Sequence, residues 1–108
     1  METDNKQNTL LRIYIGESDL IEGRSAYKEI VHYFKKQGFS GATVIRGIYG
    51  YGKKSVLHSA SIVRLSTDLP ILIEVVESED KIQAVLPEVK NMIKEGLITL
   101  EKITIVKN

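Results

Sequence analysis

Leu69-Pro70-Ile71-Leu72-Ile73-Glu74-Val75-Val76-Glu77 is the stretch on which the fold turns. Ile71, Ile73 and Val75 fall on one side of an extended chain and Leu72 and Val76 on the other, so this strand is apolar on both faces. Pro70 is tolerated because it stands near the strand's start. The same doubling appears near the N-terminus. Between Thr9 and Ile15, residues Leu11, Ile13 and Ile15 share one face, while Leu10 and Tyr14 share the other with Arg12. A strand that is apolar on both sides needs two covers, and that demand shapes everything read outward from it.

Two amphipathic helices are available as covers. Ser25 to Gln37 carries Ala26, Tyr27, Ile30, Val31 and Phe34 at helical spacing, and Gly38 is placed to end it in a left-handed conformation. Ser78 can cap a second helix, with Glu79 and Asp80 favourable in its first turn and Ile82, Val85, Leu86, Val89 and Ile93 as its stripe. Pro87 lies inside that pattern and predicts a kink or a division. A second strand is expected over Gly41 to Tyr49. A last one is expected over Leu97 to Val106, with a bulge or bend absorbing the slip in apolar phase between Leu100 and Ile103. Gly16-Glu17-Ser18-Asp19 reads as a solvated acidic turn, and Val56 to Leu65 as a short strand or hairpin arm.

The order is βαββαβ with an insertion between the second and third strands. It predicts an α+β, ferredoxin-like domain over residues 9–108: a four-stranded antiparallel sheet with two helices on one face, after a disordered tail at 1–8. Two helices cover one face only. At about 25 cal/mol per Å² of apolar area, a wet second face would forgo several kcal/mol, so self-association through it is expected.

Composition excludes more than it assigns. With 108 residues, 43% of them hydrophobic, the chain makes one modest domain, and no apolar run approaches the length of a membrane span. The absence of cysteine removes disulfides and thiolate chemistry, and with no secretory signal the expected compartment is the cytoplasm. A net charge of +1 argues against nucleic-acid binding, as does the lack of paired sheet aromatics around Tyr14, Tyr49 and Tyr51. His58, Ser59 and Asp68 do not form a hydrolytic motif, and His32 with His58 lacks metal-ligand spacing. No catalytic constellation is visible, and no cofactor is required.

Two groups of residues stand out. Gly47, Gly50 and Gly52, with Tyr51 between the last two, lead directly into Lys53 and Lys54. Backbone amides of such a loop can cradle phosphate while lysine supplies charge, but the same sequence also suits a flexible turn with solvated lysines. Arg12, Arg46, Glu74 and Lys102 are charged residues inside apolar strands. They read either as edge protection or as a polar cluster where subunits meet a ligand.

Three motifs then carry a resemblance. Gly38-Phe39-Ser40-Gly41-Ala42-Thr43-Val44 followed by Gly50-Tyr51-Gly52-Lys53 resembles the P-II signature ahead of the long T-loop. Leu69-Pro70-Ile71-Leu72-Ile73-Glu74-Val75-Val76 resembles the strand after that loop. Leu11-Arg12-Ile13-Tyr14-Ile15-Gly16-Glu17, Ala42 to Gly52 and Arg64-Leu65-Ser66-Thr67-Asp68-Leu69-Pro70 look like a P-II-like branch known as a domain of unknown function. The resemblance implies a signalling homotrimer with adenine nucleotide (AMP, ADP or ATP) in clefts between subunits. A mobile loop, here about 53–66, would report to a partner such as a membrane transporter or an enzyme. By position, Thr43, Gly50, Gly52, Lys53 and Glu74 match residues that line the P-II cleft. The chain departs from the family at Met92 to Thr99, where true P-II proteins carry a glycine-rich phosphate loop and this sequence has one glycine. A clear counterpart of the modified T-loop tyrosine is also missing. The alternative is a metal-responsive or purely protein-interacting trimer of the same shape.

Overall fold

The computed structural model describes residues 7–52, 58–59 and 68–108. Strand β1 (Asn8–Gly16) is followed by two short strands, β2 (Leu20–Ile21) and β3 (Arg24–Ser25), and helix α1 (Ala26–Lys36). Strands β4 (Thr43–Arg46), β5 (Tyr49–Gly50) and β6 (His58–Ser59) come next, then β7 (Pro70–Ser78), helix α2 (Glu79–Met92) and β8 (Leu97–Ile103). The main sheet has the order β4-β7-β1-β8, every neighbouring pair antiparallel. This is the ferredoxin-like α+β plan expected from the sequence.

The two strands that are apolar on both faces, β1 and β7, occupy the centre of the sheet and pair from Asn8↔Ser78 to Gly16↔Pro70. Leu11, Ile13, Ile71, Ile73 and Val75 are buried beneath Ile30 and Phe34 of α1 and Ile82, Val85 and Val89 of α2. Burying each such side chain is worth roughly 1.5–3 kcal/mol, so this layer holds the domain together.

Local signals place the helices. At the end of α1, Gly38 takes φ +84°. Its N–H donates to the Lys35 carbonyl at 3.1 Å, and that of Phe39 donates to the Phe34 carbonyl at 3.1 Å. The accompanying apolar contact is a stack of Phe39 on Phe34, with ring centroids 5.0 Å apart. The pattern is a Schellman stop, in which glycine accepts the left-handed step without strain. Ser78 caps α2 by accepting the Lys81 N–H at 3.4 Å.

Several expectations are corrected. The first strand begins at Asn8, one residue before the expected start at Thr9, and Asn8 is buried. The stretch Gly41–Tyr49 pairs as β4 only over Thr43–Arg46, and Tyr49–Gly50 turns away to pair with His58–Ser59. Of the two outcomes expected at Pro87, a kink or a division, the division does not occur: α2 is continuous from Glu79 to Met92. No bulge interrupts β8: its register with β1 is regular from Leu97↔Tyr14 to Ile103↔Asn8. The phase slip is resolved differently. Leu100 lies opposite Leu11 on the helix side, and Ile103 lies opposite Asn8 on the other face. The β2–β3 hairpin was not anticipated; Glu22 and Gly23, both at positive φ, make its turn. The segment expected to be a hairpin arm or mobile loop lies outside the described residues except for the two positions of β6.

Candidate functional site

Register fixes what the second sheet face displays, because residues directly opposite one another in an antiparallel ladder point the same way. One row runs Thr43, Glu74, Arg12, Thr99 and the next Ile45, Leu72, Tyr14, Leu97. The second row is the apolar one, and it is wet: Ile45 is 47% exposed and Leu97 56%. Both helices pack on the opposite face, and among the described residues nothing comparable covers this one.

At the centre of the open face Arg12 joins two carboxylates. Its Nε donates to Glu74 at 3.0 Å and its Nη1 to Glu101 at 3.1 Å. The hydrogen bond to Glu74 raises the Arg12 pKa above its ordinary value, with the nearby charges of Glu101 and Glu74 acting in the same direction against some desolvation, so the guanidinium stays charged. Glu101 was not singled out in the sequence, where it reads as one more solvated charge. Its position opposite Leu10 brings it diagonally to Arg12. A groove of about 800 Å³ lies at this end of the sheet, its lining including Thr43, Glu74, Val76, Lys81, Ile103 and Ile105.

The other candidates lie elsewhere. Arg46 and Lys102 sit on the helix side of the sheet, opposite Ile71 and Thr9, so the four strand charges do not form one cluster within a chain. Arg46 instead donates from Nη2 to Glu17. Gly50, Tyr51 and Gly52 follow beyond the end of β4, and Lys53 lies outside the described residues. The glycines differ in what requires them. A Cβ at Gly47 or Gly50 would come within 3.3 or 3.1 Å of the Pro70 ring, so packing on Pro70 accounts for both. A Cβ at Gly52 would meet nothing within 4 Å among the described residues, so their packing does not demand glycine there.

Where true P-II proteins carry their glycine-rich loop, the structure has a small cavity of about 160 Å³ between Met92–Glu95 and the β1–α1 connection. Gly96 closes that corner. A Cβ there would lie 2.8 Å from the Tyr14 carbonyl and 2.9 Å from the Ile15 side chain, so glycine serves close backbone approach.

Comparison with known proteins agrees with this geometry. The DUF190 family model, described as an uncharacterized ACR, matches residues 8–105. A UPF0166 protein of Methanocaldococcus jannaschii is 46% identical over 92 residues, covering 84% of each chain. One from Aquifex aeolicus is 38% identical over 97 residues, covering 90% of this chain and 91% of its own. Among solved structures, CPII, a nitrogen regulatory PII-like protein from Thiomonas intermedia K12 bound to ADP, AMP and bicarbonate, superposes with a TM-score of 0.67 at 16% identity, covering 97% of this chain and 99% of its own. A putative PII-like signaling protein from Thermus thermophilus gives a TM-score of 0.67 at 21% identity, covering 98% of this chain and 94% of its own. Motifs, sheet order and relatives converge: the chain belongs to the DUF190 (UPF0166) family and has the PII-like fold.

Proposed function

We propose that this protein is a P-II-like regulator that assembles as a cytoplasmic homotrimer and binds an adenine nucleotide between subunits. It would report the bound state through the segment of about residues 53–66 to a partner protein, a transporter or an enzyme. The observation that carries the reading is the open sheet face, where an apolar row of exposed Ile45, Tyr14 and Leu97 with part-buried Leu72 runs beside the Arg12–Glu74–Glu101 network. Leaving that row wet is unfavourable, and three-fold association would bury it and bring edge residues of neighbouring chains together. Thr43 and Glu74 from one chain can then share a seam with side chains such as Lys102 that the single chain holds on its other face.

The Gly50-Tyr51-Gly52 segment lies beside the end of β4, and a glycine-rich backbone of this kind suits close approach of a phosphate. Lys53, next in sequence, would supply charge. The neighbours that bind ADP and AMP share the fold, and their ligands set the chemical class to test first. No bond is made or broken in this account; binding alone shifts the population of states the partner meets.

The test is calorimetry with AMP, ADP and ATP. A hydrogen bond to a charged group is worth roughly 1.5–3 kcal/mol, so Lys53→Ala should weaken binding about ten- to a hundredfold while Lys54→Ala leaves it nearly unchanged. If the wild-type protein binds no nucleotide at millimolar concentration, the sensor reading fails and a protein-interaction module replaces it.

A further inference from the structure

The acidic turn after β1 holds both ends of the insertion that separates β4 from β7. On the returning side, the Glu17 N–H donates to the Leu69 carbonyl at 2.8 Å and the Ser18 N–H to Asp68 Oδ1 at 3.1 Å. On the departing side, the last residue of β4, Arg46, reaches the Glu17 carboxylate with its guanidinium. The Gly47 N–H donates to the Pro70 carbonyl at 2.7 Å and closes the base between the two ends. Gly47 and Gly50 both rest on the Pro70 ring, which keeps the glycine segment beside Arg46.

The two members of the ion pair are not equally placed. The Glu17 side chain is 15% exposed and that of Arg46 57%. The carboxylate is thus largely sheltered, on a residue whose backbone is fixed to Leu69, whereas the guanidinium remains accessible. Arginine offers a planar fork of donors that suits a phosphate as well as a carboxylate. An anion arriving at the glycine segment meets an arginine whose charge is already partly answered from within the chain.

We propose that Glu17 is a positioning residue acting as an internal counter-anion for Arg46, one that a phosphate-bearing ligand must displace. Glu17 thereby sets the affinity for the ligand's anionic part and ties its arrival to the turn that fastens Leu69. The inference rests on the reading that a phosphate-bearing nucleotide binds beside Gly50–Gly52. It adds a residue and a competition that reading lacks.

The test titrates ADP, adenosine and inorganic pyrophosphate into the intact wild-type protein, Glu17→Gln, Glu17→Asp and Arg46→Gln. Removing a competing half-exposed ion pair predicts ADP binding about fivefold tighter in Glu17→Gln, with pyrophosphate shifted the same way and adenosine unchanged. Arg46→Gln should weaken ADP and pyrophosphate and leave adenosine alone. A merely structural role for Glu17 would instead weaken all three ligands or move adenosine in parallel. Should Glu17→Gln not fold, Glu17→Asp decides, since its shorter carboxylate should give a smaller tightening of the same selectivity. Wild-type binding of ADP with no phosphate-selective tightening in the Glu17 variants overturns this proposal alone. Absence of nucleotide binding in wild type and variants together overturns both it and the sensor reading.

Discussion

The two faces of the central sheet are built from the same strands, alternate residue by alternate residue, yet they differ in what completes them. On the helix side Leu11, Ile13 and Ile73 are wholly buried, and α1 and α2 close the layer within one chain. On the other side Tyr14, Ile45 and Leu97 are between 40% and 56% exposed, and the centre of the face is an ion-pair network. The comparison separates two kinds of stability. The first face stabilises the fold of the monomer, and the second has an apolar row to offer to another molecule.

A charge placed on each face should break the symmetry between them most strongly. Ile73→Asp puts an unpaired carboxylate into the closed layer, which costs several kcal/mol and should abolish cooperative unfolding in circular dichroism. Leu72→Asp, one residue away on the open face, should keep the folded spectrum but shift the particle to a smaller size in light scattering. If both variants unfold alike, the faces are not distinct in the way described.

Three smaller effects sharpen the account of the closed face by testing the turns that deliver elements to it. Gly96→Ala presses a methyl against the Tyr14 carbonyl and should cost about 1–3 kcal/mol in denaturant unfolding, the range for overpacking. Gly38→Ala forces alanine into the left-handed Schellman position and should cost about 1–2 kcal/mol. Glu22, a non-glycine residue at φ 50°, gives the opposite sign: Glu22→Gly should raise the melting temperature slightly, by relief of about 1–2 kcal/mol of strain less about 0.5–1 kcal/mol of added chain entropy.

Much of the closed face was legible in the sequence, because period-two and helical spacing record burial directly. Leu11, Ile13, Ile73 and Val75, the α2 stripe and Gly38 all lie where their spacing put them. The regular register of β8 was not legible: Leu100 and Ile103 look out of phase only if both must face the same core, whereas each face accepts one of them. The short β2–β3 hairpin was missed because Leu20-Ile21 and Arg24-Ser25 are too brief to show a period. For the site, Arg12 and Glu74 were legible as charges stranded among apolar residues, but their partner Glu101 was not. Glu17 was hidden for a plainer reason: in a run with Ser18 and Asp19 it looks solvated, and only the fold brings Arg46 to it.

Native mass spectrometry of the intact protein with and without ADP tests the central claim most directly, since it counts chains and ligands in the same particle. The account predicts a particle of three chains that takes up ADP to a limit of one nucleotide per subunit seam, with Leu72→Asp losing the three-chain particle and its nucleotide together. A nucleotide-free monomer at micromolar concentration, or a trimer that takes up no ADP as the ligand is raised to millimolar, would contradict it.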